Sequence, residues 1–110
     1  MAGTFQVIVT RPAQQDLEEI IDYLTEYESY DRALEVHDEI LDTIEKLEEM
    51  PGRHAPLRET YELVGNYYRR ALTGKYKVIF TVEEPANEVY VIHIMHIKRG
   101  PNFVTGKLLP

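Results

Sequence analysis

Two apolar stripes at helical spacing follow one another in the first half of the chain, and they limit what the rest can build. Ala13, Leu17, Ile20, Ile21 and Leu24 make the first, and Ala33, Val36, Ile40, Leu41, Ile44 and Leu47 make the second. Recurrence every three or four residues puts each set on one face of a helix. Pro12 belongs in the first turn of the first helix, with Thr10 or Arg11 as its cap and Tyr27 near its end. Ser29 to Asp31 interrupts the pattern, Asp31 reads as the N-cap of the second helix, and Pro51-Gly52 stops it. So short a break predicts an antiparallel helical hairpin. Its apolar side needs a second layer to cover it.

The remaining segments supply that layer. Residues 4–9 are β-branched and aromatic and end at Thr10-Arg11-Pro12, which predicts a strand leading into the first helix. Residues 51–66 carry Pro51, Gly52, Pro56 and Gly65 with no sustained period and read as loop. Three strands follow, over 66–72, 75–83 and 88–97, joined by Thr73-Gly74 and by Glu84-Pro85-Ala86-Asn87. The middle one alternates, with Tyr76, Val78, Phe80 and Val82 on one face and Lys75 and Lys77 beginning the other. The expected fold is α+β in the order β-α-α-β-β-β, a helical hairpin packed on one face of a mainly antiparallel four-stranded sheet. A single domain over residues 1–99 and a C-terminal tail over 100–110, mobile unless a partner orders it, complete the expectation.

Composition removes several classes of function. The chain has no cysteine, which excludes disulfides, thiolate metal sites and cysteine nucleophiles. No apolar run approaches the roughly 18 residues of a membrane helix, so no membrane partner is expected. The stretch Met1 to Thr10 lacks the basic start and apolar block of a signal peptide, and the expected location is the cytoplasm. No glycine-rich phosphate loop or nucleophile elbow is present, and no cofactor is expected. His93 and His96 point to opposite faces of a strand and have no third ligand, so no metal is expected either. The acids Asp16, Glu19, Asp22 and Glu26 read as the solvated side of the first helix.

Charge is unevenly distributed. Residues 1–50 hold three cations against fourteen acids, a net −11, whereas residues 51–110 hold nine cations against five acids, a net +4. The basic half is where an anionic partner would bind. A two-residue Thr73-Gly74 turn would set Arg70 directly opposite Lys77, on one face with Lys75, where like charges repel unless an anion bridges them. Pairing Val82 with Val89 would bring His96 onto the same face, opposite Lys75, with Lys98 and Arg99 just beyond. Arg70, Lys77, His96 and Arg99 are then candidates for holding phosphates and moving a proton, with Arg69, Lys75 and Lys98 as further anion-binding groups. A slip of one residue would instead turn His96 towards the helices. Tyr67 or Tyr68 offers a surface for base stacking beside Arg70.

Three stretches together resemble the RelE/ParE toxin superfamily over about residues 5–99. They are Ala13 to Tyr23, similar to the family's Ala-x-x-Asp-Leu-x-x-Ile-x-x-Tyr; Tyr68-Arg69-Arg70-Ala71-Leu72 with Tyr76 to Phe80; and Val91 to Arg99. The resemblance implies the same fold and a bacterial toxin held silent by a cognate antitoxin. It also implies one of two targets: ribosome-bound mRNA, cut without metal by RelE-like members, or DNA gyrase, poisoned by ParE-like members. Arg70, Lys77 and Arg99 fall at basic positions of the RelE-like nucleases. However, Lys77 stands where arginine is usual, and residues 100–110 lack the tyrosine those nucleases use. Those departures and the acidic charge point towards the ParE-like branch. A non-toxic binding module on the same fold and a homodimer stay open. The apolar tail residues Phe103, Val104, Leu108 and Leu109 are a candidate partner surface.

Overall fold

The structure, a computed structural model, describes residues 4–109; residues 1–3 and 110, the outer ends of the expected domain and tail, lie outside the described residues. Strand β1 (Gln6–Val9) leads into α1 (Arg11–Tyr27) and α2 (Tyr30–Glu45), and short turns and α3 (Tyr61–Val64) bridge to β2 (Arg69–Thr73), β3 (Tyr76–Glu83) and β4 (Glu88–His96). A last helix, α4 (Pro101–Leu108), follows. The sheet order is β1-β4-β3-β2, with β1 parallel to β4 and the other pairs antiparallel.

The hairpin forms as its stripes predict. Ala13, Leu24, Ala33, Val36, Ile40, Ile44 and Leu47 pack against Ala71, Val78, Phe80, Val89, Val91 and Ile94 of the sheet. Two details differ. Ser29, not Asp31, caps α2: its hydroxyl accepts the Arg32 N–H at 3.0 Å. Leu41, assigned to the stripe from its spacing, is exposed.

Within the segment expected to be a tail, Pro101–Leu108 form a helix. Pro101 opens α4 at a position that has no backbone partner to lose. Val104 is buried with Leu57, Ile79 and Met95 on the sheet face away from the hairpin, and Leu108 and Tyr68 pack beside them. A second, smaller core thus covers that face. Lys77 belongs to it. Its ammonium is buried and donates to Glu59 Oε2 at 2.9 Å, which pins the turn at 58–60 over the sheet.

Strand β4 extends past β1, whose pairing ends at Val9 opposite Val91. Side chains from α1 and the residue before it take over there. The Thr10 hydroxyl donates to Val91 O at 2.7 Å, and Asp16 Oδ2 accepts both the Ile94 N–H at 2.9 Å and His93 Nδ1 at 2.7 Å. Asp16 is therefore no solvated carboxylate, as the sequence pattern suggests, but the group that fastens α1 to the sheet.

Asp16→Ala should lower stability by about 2–4 kcal/mol, because it removes two bonds to a charged acceptor and orphans a strand N–H. Asp16→Asn, which still accepts from Ile94, should lose less; denaturant melts measure both. Lys77→Ala should cost about 3–5 kcal/mol by stranding Glu59 under the second core, and Lys77→Met with Glu59→Leu should recover most of the loss. Burial opposes ionisation of Glu59, yet the Lys77 hydrogen bond, a backbone hydrogen bond and nearby positive charge together hold its carboxyl below the ordinary 4.5. The stability from its ionised form is therefore full above about pH 4.5 and disappears as pH falls through the lowered value. Glu59→Gln should flatten the acid side of the melting profile in that window.

Candidate functional site

The hairpin between β2 and β3 turns one residue later than the Thr73-Gly74 reading. Thr73 pairs with Tyr76, and Gly74 takes φ +59 at the first central position of the turn, where glycine carries no steric penalty. Arg70 consequently faces Ile79, and Lys77 faces Leu72. The two cations keep a common face but stand diagonally, so the expected head-on repulsion does not arise. Lys75 lies in the turn, exposed.

Strands β3 and β4 begin as expected, with Val82 opposite Val89. A bulge then intervenes: Phe80 pairs with Val91 but Ile79 with His93, which leaves Ile92 unmatched. One extra residue shifts everything beyond it. Met95 comes opposite Lys77, and His96 comes opposite Tyr76 on the hairpin-covered face, its ring edge-on to the tyrosine at 5.6 Å. The predicted grouping of Arg70, Lys77 and His96 on one face is therefore not formed.

The seven candidates separate into four settings, Lys75 in the turn being the first. Lys77 is sealed against Glu59. Arg69 and Arg70 are half-buried at the β2 edge, where Arg69 Nη1 donates to the His54 carbonyl at 2.7 Å. Burial first, then the charges of Arg53, Arg69 and Arg70, hold His54 below its ordinary pKa. Tyr68, considered for base stacking, packs in the second core and meets Tyr67 edge-on at 4.9 Å.

His96, Lys98 and Arg99 do come together. They line a cleft of about 610 Å³ between α1, the end of β4 and α4, with Tyr23, Tyr76 and Lys107 among its other walls. His96 Nδ1 accepts the Lys98 N–H at 3.0 Å. Burial first, then the positive charges of Lys98, Lys75, Arg99 and Lys77, hold this imidazole below its ordinary value, so it is neutral at pH 7. The Arg99 guanidinium lies 4.3 Å from the centre of the Phe103 ring. Among the described residues, Lys98, Arg99 and Lys107 have no carboxylate at ion-pair distance. Asp16 and Glu19 line the cleft from α1, so it carries charge of both signs. Lys107 was not legible as a site residue, and Phe103 was legible only as part of an apolar partner surface: the turn of α4 onto the sheet brings both back beside Arg99.

The fold has solved counterparts. The chain is similar to a protein of the chromosomal ParDE toxin–antitoxin system of P. aeruginosa, with a TM-score of 0.72 and 18% identity over 88% of this chain and 100% of that one. It is also similar to a chain of the toxin–antitoxin complex RelBE2 of Mycobacterium tuberculosis, at 0.61 and 17% over 84% and 98%. A chain of the archaeal RelE–RelB complex of Pyrococcus horikoshii gives 0.57 and 18% over 88% and 99%. At these identities the likeness is one of fold. A sequence search of curated proteins finds no match. Residues 7–101 match the family described as the ParE toxin of type II toxin–antitoxin systems, parDE, and with most of its length inside that match this chain belongs to the ParE toxin family.

Proposed function

We propose that this toxin arrests growth by binding DNA gyrase, with no bond-breaking chemistry of its own, and that a cognate antitoxin silences it in the cytoplasm. The observation that carries this reading is the burial of Lys77 against Glu59. A lysine meant to grip phosphate must be reachable and free to exchange partners. This one is desolvated and paired with a carboxylate of the 58–60 turn. Arg70 is left without its expected partner, and His96 faces the other side of the sheet. The family match and the ParDE-type neighbour support the same branch, and the neighbours from toxin–antitoxin complexes support an antitoxin as partner.

One observation favours ribosome-dependent mRNA cleavage as the second reading. His96 is a neutral imidazole beside Lys98 and Arg99, in a cleft open to a ligand. A neutral histidine among cations is suited to proton transfer on a phosphate-bearing substrate. That constellation lacks the buried cation at Lys77, and Asp16 and Glu19 line the cleft wall facing it.

Induced alone in a bacterial host, the chain should stop growth, and the product of the neighbouring antitoxin gene should restore it. Purified protein should block supercoiling by gyrase while early translation continues. Codon-positioned mRNA cuts that appear only with ribosomes would replace this reading with the second. Normal growth at high expression would mean a non-toxic binding module on the same fold.

A further inference from the structure

Helix α2 carries a second apolar stripe that the fold does not use. Tyr30, Leu34, His37 and Leu41 follow each other at intervals of four, three and four, three of them apolar and His37 lying 3.3 Å from Asp38. At about 100° per residue they fall within roughly 60° of helix arc, about 90° away from the buried stripe of Ala33, Val36, Ile40 and Ile44. Tyr30 is 65% exposed, Leu34 43% and Leu41 42%. A surface helix that serves only its own core carries one apolar stripe and is polar elsewhere. Spacing of four, three and four is that of a coiled-coil seam.

The charge beside the seam narrows what fits it. Asp31, Asp38, Asp42 and Glu45 all lie exposed along the flank away from the core. Between Tyr30 and Glu45 the helix holds six acids and a single cation, Arg32, which is already paired with Glu35 at 3.4 Å. Lys46, just beyond, meets Asp42 at 3.0 Å. A second copy of this chain on the seam would set acid against acid, and an anionic membrane surface would be repelled. A helix with Lys or Arg beside its own apolar residues would gain on both counts, and the exposed rings of Tyr27 and Tyr30 would receive its cations.

We propose that the Tyr30–Leu34–His37–Leu41 seam is the docking surface for an amphipathic helix of the antitoxin, one with apolar residues at heptad spacing and a basic flank. The proposal rests on the toxin–antitoxin reading. Docking along α2 places the partner on the hairpin's acidic side, over about 24 Å of helix.

The test uses the full chain and the purified antitoxin encoded beside it. Leu34→Lys combined with Leu41→Lys should leave the melting temperature close to wild type, since both side chains are exposed. Affinity for the antitoxin should fall by about 100-fold or more, and co-expressed antitoxin should no longer rescue growth. Asp38→Asn with Asp42→Asn should weaken binding less and reduce its dependence on salt. Unchanged affinity in the double lysine variant overturns the proposal. So does failure of the wild-type chain to bind the antitoxin, or a wild-type dimer in sedimentation that Leu34→Lys breaks. The toxin reading fails separately. A wild-type chain that binds antitoxin through this seam yet never slows growth loses its toxicity and keeps its docking surface.

Discussion

Strand β4 needs hydrogen-bond partners for longer than β1 can provide them, and the way α1 meets that need organises the molecule. β1 pairs with β4 only as far as Val9 and Val91. Backbone groups beyond that point cannot be left buried and unpaired without a cost comparable to a lost hydrogen bond each. Thr10 and Asp16 supply the missing acceptors and donors from the start of the helix. Because Asp16 also takes His93 Nδ1, a single carboxylate fixes the position of α1 along β4. Everything carried by α1 then follows: the seating of Leu24 in the core and the wall that Ile20 and Tyr23 give to the cleft.

The bulge at Ile92 lies immediately before this contact, and the two features are linked. Without the extra residue, His93 and Ile94 would each take the register of their neighbour. Ile94 would then leave the core, where it packs beside Val78, and Met95 would leave the second core beneath α4. The one-residue slip thus lets β4 serve two apolar faces and present an N–H to Asp16. It also carries His96 away from Lys77, with direct consequences for what chemistry the sheet can do.

Much of this was legible from residue patterns, for a physical reason. Burial against a second layer imposes periods of 3.6 and 2, and these show in Ala33, Val36, Ile40 and Ile44 and in Tyr76, Val78, Phe80 and Val82. Element order and the helix-covered face follow from them. The functional grouping was less legible because it depends on register, which periodicity does not encode. A turn at Gly74-Lys75 in place of Thr73-Gly74 moves Arg70 from Lys77 to Ile79, and an unmatched Ile92 turns His96 over. Asp16 and Lys77 were misplaced for a different reason. Each is a charged residue whose buried partner, Ile94 N–H and Glu59 respectively, is remote in sequence and visible only once the chain has folded. Leu41 shows the opposite error: its spacing fits both stripes of α2, and only the exposed one is real.

The split in charge between the two halves of the chain resolves into a division of surfaces. The positive half does not become a uniformly basic sheet. Lys77 is spent on Glu59, and Arg69 on the His54 carbonyl. Lys98, Arg99 and Lys107 collect at the mouth of the cleft. The negative half stays on the hairpin, where among the described residues Asp31, Glu39 and Glu45 of α2 have no cation at ion-pair distance. Partners of opposite charge are thereby steered to different places. On the docking proposed for α2, a basic helix would lie along the acidic flank, while Lys98, Arg99 and Lys107 stay with the cleft. Helix α1 borders both regions, because Asp16 ties it to β4 and Tyr23 lines the cleft.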